Sequence, residues 1–281
     1  MSDILPVGEV AEAVVAWIND TFGWLLDWIT MVMDMLVSGF QDGMAAIPPV
    51  LLIVIFAVLA YLLTRKNLKI SLLTLFGLLF IYLLDLWPET VLTLALVLTS
   101  TFVTLAIAIP LGILASRYTL VNAALRPALD LMQTMPSFVY LIPAVIFFGL
   151  GNVPGMIATI IFAMPPAIRL TNLGIRQVPV ELIEVSEAFG ATEWQKLMKV
   201  QLPVALPTIM AGVNQCIMLA LSMTVIAAMI GAAGLGLNVL IGIQRVDIGG
   251  GFEAGLCIVI IAIILDRITQ NVISSGQQKE I

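Results

Sequence analysis

TNLGIRQVPVELIEVSEAFGATEWQKLMKVQLP, residues Thr171–Pro203, is an amphipathic interval set between two long apolar runs. It is too long for a bare connection inside a compact helical bundle. Pro179 suits the first turn of a helix, and Glu181, Leu182, Glu184, Val185, Ala188 and Phe189 continue as a short amphipathic helix that Gly190 ends. Thr192 and Gln195 have the spacing of a capping box, which predicts a second short helix through Val200. Leu202–Pro203 is then expected to redirect the chain into the next apolar run. A helix–glycine–helix unit with one apolar face offers a knob to a partner's groove.

The flanking sequence names the solvent. Of 281 residues, 61% are hydrophobic and 11% charged, against about 45–50% and 25% in soluble domains. The mean hydropathy of +1.12 agrees, and the lipid bilayer is the environment this predicts. Such a composition excludes a disordered chain and a disulfide-stapled secreted module, and the pI near 4.6 excludes a nucleic-acid binder. With no histidine, a Ser-His-Asp triad and a His zinc or haem site are excluded too. Cys216 and Cys257 lie in apolar runs and read as small buried hydrophobes.

Runs long enough to cross a membrane are Pro49–Leu63, Ile70–Trp87, Val91–Ala115, Leu131–Gly151, Val153–Ile168, Val204–Gly231 and Phe252–Ile268, seven expected spans. Alternating sides from the first places Arg65, Lys66, Lys69, Arg117, Arg126, Arg169, Arg176, Lys196, Lys199, Arg267 and Lys279 together, with Arg245 alone opposite. By the positive-inside rule the N-terminus is outside, the C-terminus is cytoplasmic, and Thr171–Pro203 faces the cytoplasm.

Residues 1–47 carry no Lys or Arg and seven acids, unlike a secretory signal peptide. On a helix Glu9, Glu12, Asp20, Asp27 and Asp34 share one face, Ile18, Leu25, Ile29, Val32 and Leu36 the opposite one, and Trp17, Trp24 and Trp28 a flank. This predicts an acidic amphipathic helix in the outer interface, serving as a scaffold and ended by Pro48–Pro49. The expected organisation is therefore 1–47 external helix, 48–88 two accessory spans, 89–271 transport core with the segment 171–203, and 272–281 cytoplasmic tail.

Asp85, Asp130, Arg169, Glu253 and Asp266 all fall near span ends, and Val200–Gln244 holds no charge, so the midplane ionisable group of an ion-coupled transporter is missing. A sodium site made of carbonyls keeps a secondary transporter of a small zwitterion as an alternative, and a membrane scaffold or receptor is a third class. None of the five lysines follows a glycine, so the chain has no phosphate-binding loop, and Ser274–Gln278 reads as a solvated tail. Pro110, Gly112, Pro136, Pro143, Pro165, Pro166 and Pro207 are expected kinks or joints within the spans.

Glu184, Gly190 six residues on, Val200 and Leu202–Pro203 together resemble the pattern E-A-A-three-G-nine-I-x-L-P of permease subunits of binding-protein-dependent ABC importers. Val185–Ser186 stand where two alanines are usual. The runs Leu129–Leu150, Ile161–Leu170, Leu219–Gly236 and Ile264–Asn271 are similar to those of glycine betaine/proline importer permeases, and the resemblance spans about two-thirds of the chain. It implies the transmembrane domain of a type I ABC importer. Glu184, Ser186, Glu187, Phe189, Gly190, Ala191, Thr192, Leu202 and Pro203 would dock on a cytoplasmic ATPase as its coupling segment. Without the motif, Glu184 and Glu187 read as a solvated loop and Gly190 as a helix cap.

The resemblance further implies a second copy of the chain, two ATPase subunits holding ATP and Mg, and a separate substrate-binding protein, since the sequence stops at Ile281 without one. It implies residence in a bacterial cytoplasmic membrane and no cofactor, metal or catalysis in this chain. The acidic extension favours betaine over choline, a choline-specific relative being the nearer alternative. Gln133, Met135, Pro136, Ser137 and Tyr140 are candidates for lining the path, with plain helix packing equally open.

Overall fold

Helix α7 (Asn152–Arg176) lies between α4 (Trp87–Arg117) and α10 (Leu202–Ala228) in the computed structural model, which describes residues 7–277. The three can approach closely because their facing residues are small: Ala108 and Gly112, Ala163 and Ala167, and Ala205 and Ala220 are all buried. At the α4–α7 crossing a Cβ on Gly112 would lie 2.6 Å from Thr171 Cβ and 2.9 Å from the Ile168 carbonyl oxygen, so only glycine fits. The buried hydroxyls of Thr90, Thr93, Thr104 and Thr159 donate to the carbonyl four residues earlier, which removes the cost of a polar group in an apolar interior. Cys216 and Cys257 are buried free thiols.

Around this centre the hairpin α2 (Pro49–Leu63) and α3 (Leu68–Leu83) packs on α12 (Ile248–Gln277), joining Leu52, Ile53, Leu78 and Ile81 to Cys257, Ile261 and Ile264. Its turn uses left-handed Arg65 and Lys66, and Asn67 caps α3 by accepting from Lys69 N–H. Helix α1 (Val7–Ala45) sets Ile29, Val32, Met33, Leu36 and Val37 against α4 and α7. Glu9, Glu12, Asp20, Asp27 and Asp34 face away, exposed, and so do Trp17, Trp24 and Trp28. The expected two-faced pattern is present, but only the C-terminal half of the helix contributes buried residues.

Two of the expected spans differ in the structure. The run Leu131–Gly151 is no single helix: α5 (Thr119–Thr134) and the 3-10 turn Ser137–Tyr140 with α6 (Leu141–Phe148) meet at 111°. Pro136 forces Met135 into an extended conformation (ψ 133°), and the helix stops there. Among the prolines expected to kink spans, Pro110, Pro165, Pro166 and Pro207 sit inside continuous helices. Leu202–Pro203 does not turn the chain, because α9 (Glu193–Lys196), a π turn over Leu197–Gln201 and α10 form one run, Glu193–Ala228. Pro203 stands in the first turn of α10, just past the wide π turn in which Leu202 N–H bonds Leu197 O. Helices α2 and α3, at 15 and 16 residues, extend about 22 and 24 Å, short of a hydrocarbon core of about 30 Å. By length and composition α4, α7, α12 and the α9–α10 run are able to cross a membrane; α1 also passes that measure, while its row of exposed acids suits the interface.

Helix α11 (Leu235–Arg245), read only as connection between spans, packs back on α12. Helix α12 continues through the expected tail to Gln277, while Gln278 and Lys279 lie outside the described residues.

Helix ends meet at two opposite sides of the bundle. Arg117 and Arg176, closing α4 and α7, lie beside α8 (Val180–Ala188) and α9, with Arg117 Nη2 donating to Glu193 O and Arg176 Nη2 to Ala115 O. At the opposite end Leu235 N–H donates to Thr93 Oγ1, Ala233 N–H to Asn152 Oδ1 and Gly151 N–H to Ile230 O. The result is a polytopic helical bundle with one amphipathic helix pair projecting at the arginine-rich end.

Candidate functional site

The projecting unit is α8, Phe189–Gly190 and α9. Helix α8 starts after Pro179 and ends in a Schellman cap: Ala191 N–H bonds Ser186 O at 3.0 Å and Gly190 N–H bonds Glu187 O at 2.8 Å. The cap needs a left-handed residue, and Gly190 has φ +75° with open space around it. Thr192 Oγ1 accepts from Gln195 N–H while Gln195 Oε1 accepts from Thr192 N–H, the predicted capping box.

Helix α8 contributes no buried residue, and Val180, Leu182, Val185 and Phe189 are exposed apolar side chains; Phe189, at the tip, is 89% exposed. Glu184 and Glu187 are exposed, Ser186 is half-buried with its hydroxyl on Ile183 O, and Ala191 and Leu202 are half-buried. Thr192 and Pro203 are exposed. All nine residues singled out in the sequence thus lie on or beside one protrusion, from its tip at Phe189–Gly190 to its root at Leu202–Pro203.

Two residues with geometric roles were not singled out. The Lys196 ammonium lies 2.6 Å from both Glu187 Oε1 and Glu193 Oε1, and its side chain is 10% exposed. Arg117 Nη2 reaches Glu193 O at 3.0 Å. The Lys196 hydrogen bond, with the charges of Lys196 and Arg117 behind it, holds the Glu193 carboxyl below its ordinary value; Glu187 first and Glu193 second raise Lys196. Spacing did signal Glu193–Lys196 as a helical i,i+3 pair, but nothing local links Lys196 to Glu187 across the Gly190 turn.

The path candidates surround the break between α5 and α6. Gln133 and Pro136 are exposed, Met135 and Ser137 half-buried, and Tyr140 buried with its hydroxyl donating to Met132 O. Tyr140 therefore ties the 3-10 turn before α6 back to α5. A separate small cavity of about 20 Å³ between α4, α7 and α10 is lined by Thr93, Ser100, Asn152, Thr159 and Thr224. Among the described residues, no three His, Cys, Asp or Glu side chains gather to hold a metal ion.

A multi-pass helical bundle carrying an exposed helix–turn–helix knob at one end has the form of a transporter's membrane subunit. Comparison with known proteins agrees: residues 108–275 match the model described as "Binding-protein-dependent transport system inner membrane component", and the chain belongs to this family of ABC importer permeases. It is similar to the glycine betaine transport system permease protein OpuAB of Bacillus subtilis, 52% identical over 95% of this chain and 94% of the relative. It also resembles the glycine betaine/carnitine transport permease protein GbuB of Listeria monocytogenes (54% over 86% of each chain). ProW of Escherichia coli, a glycine betaine/proline betaine permease, is 47% identical over 96% of this chain and 75% of its own. Among solved structures, an inward-facing form of the MetNI methionine ABC transporter shares the fold, with TM-score 0.58 and 24% identity over 66% of this chain and 92% of that one.

Proposed function

We propose that this chain is the permease of an ATP-driven importer of glycine betaine and related quaternary ammonium or proline solutes for osmoprotection. Two copies form the path, two ATPase subunits dock beneath α8–α9, and a separate binding protein delivers substrate from outside. The observation that carries the reading is the α8–α9 knob: a rigidly capped turn that exposes Phe189 and three more apolar side chains at the arginine-rich end of the bundle. An exposed apolar knob of this kind is built to be covered. The names of the relatives, all betaine permeases at about half identity, support the substrate class.

In this reading the N-terminus and α1 are outside, as a scaffold with its acidic face to water, and the arginine-rich end is in the cytoplasm of a bacterial cell. ATP and Mg belong to the ATPase, and this chain supplies no catalytic group or cofactor. ATP-driven approach of the ATPase subunits moves the two knobs together, and the bundle exchanges inward- for outward-facing states. An uncharged route suits a net-neutral zwitterion, whose selection rests on the binding protein, where aromatic side chains can hold the ammonium by cation–π attraction.

Co-purification with the cognate ATPase tests the docking. The wild-type chain is expected to bring down stoichiometric ATPase, and Gly190→Pro to lose substrate-stimulated ATP hydrolysis while binding-protein affinity stays normal. Full uptake by Gly190→Pro would contradict the assignment.

A further inference from the structure

We infer that Lys196 and Arg117 are positioning residues that brace the α8–α9 knob against α4, so that a push at Phe189 moves the bundle rather than bending the knob. The inference rests on the coupling reading above and extends it to residues outside the docking surface.

The geometry behind it is the thin attachment of the knob. Helix α8 has no fully buried residue, and only Ile183 and Ser186 are half-buried. Beneath it, between the ends of α4 and α7, lies a cavity of about 420 Å³ bordered by Arg117, Arg176, Ile183, Lys196 and Gln201. The usual means of fixing a short helix, a packed apolar underside, is therefore incomplete here. Polar struts stand across the gap. Lys196, on α9, grips Glu187 on α8 at 2.6 Å and Glu193 on its own helix at 2.6 Å. Arg117, the last residue of α4, holds the backbone oxygen of Glu193 at 3.0 Å. The sequence Glu187–Lys196–Glu193–Arg117 is thus an unbroken chain of contacts from the tip helix to the end of a central membrane helix.

Charge reinforces the arrangement. Glu187 and Glu193 approach the same ammonium, and without it two carboxylates would be left side by side; their repulsion would open the angle between α8 and α9. Lysine is shielded at the hub while both glutamates stay half or more exposed, so the brace is a hinge-stiffening contact on the inner side of the knob, away from Phe189.

The test uses the complete complex in proteoliposomes, with ATPase, binding protein and glycine betaine, and measures ATP hydrolysed per solute imported. Lys196→Met is expected to raise that ratio roughly two- to fivefold, the scale of a solvent-screened ion pair, and Lys196→Arg to restore it. Arg117→Gln is expected to raise it in the same direction. In a double-mutant cycle, Glu187→Gln added to Lys196→Met should change the ratio less than it does alone. An unchanged ratio in Lys196→Met, or strictly additive effects in the cycle, overturns the brace; so does a Lys196→Met complex that fails to assemble while Arg117→Gln behaves as wild type. If Gly190→Pro uncouples transport and Lys196→Met does not, only the brace is lost. If neither changes it, the coupling reading itself is wrong.

Discussion

Gly190 is the residue where backbone geometry and proposed role meet. Its φ of +75° is left-handed, and a Cβ placed there touches nothing, so Gly190→Ala isolates conformational cost, about 1–2 kcal/mol, from steric clash. Solute-stimulated ATP hydrolysis is expected to fall partway in Gly190→Ala and fully in Gly190→Pro, measured on the reconstituted complex. The Lys196 hub adds a pH signature. Glu193, lowered from 4.5, contributes stability above the ordinary carboxyl value and loses it as pH falls through the lowered one; Lys196, raised from 10.5, contributes below the ordinary lysine value and loses it as pH rises through the raised one. The α8–α9 angle is therefore expected to be flat with pH across neutrality. Spin labels on Val185→Cys and Met198→Cys, with Cys216 and Cys257 replaced, are expected to keep one distance between about pH 6 and 9 and to spread only in acid or in strong base; a step near neutrality would contradict the hub. At this scale the Thr192–Gln195 cap was legible, because both partners lie three residues apart. The hub was not, because Glu187 and Lys196 meet only after the chain reverses at Gly190.

Among elements, the α4–α7 crossing carries the sharpest steric condition. A methyl on Gly112 would meet Thr171 Cβ at 2.6 Å and backbone at 2.9 Å, so Gly112→Ala is expected to destabilise the bundle by about 1–3 kcal/mol, read as a lower unfolding temperature in detergent. An unchanged transition would mean that these helices are not pressed together as described. Element positions were largely readable from apolar run length, and the two faces of α1 from its period. The continuity of α9 through the π turn into α10 was not, since Leu202–Pro203 looks like a boundary and the wide turn before it has no compositional mark. The α5–α6 break had its signal in Pro136, yet Pro110, Pro127, Pro165, Pro166 and Pro207 lie within unbroken helices; which proline breaks a helix is set by tertiary packing, here including the Tyr140 hydroxyl on Met132 O. Helix α11 was hidden by its lack of charge before Arg245.

For the whole molecule, the arrangement of basic residues fixes an expected orientation. In a cysteine-free background, a single cysteine at Ser2 is expected to react with impermeant maleimide on intact cells and one at Ser275 only after lysis; the reverse pattern would invert the proposed sidedness. The central claim is that this bundle is moved from outside itself, through α8–α9. Its most direct test compares glycine betaine accumulation in proteoliposomes holding the chain alone, under a sodium or proton gradient, with those holding the chain, the ATPase, ATP and the binding protein. Accumulation is expected only in the complete system and only with Gly190 in place. Concentration of solute by the chain alone would contradict the account.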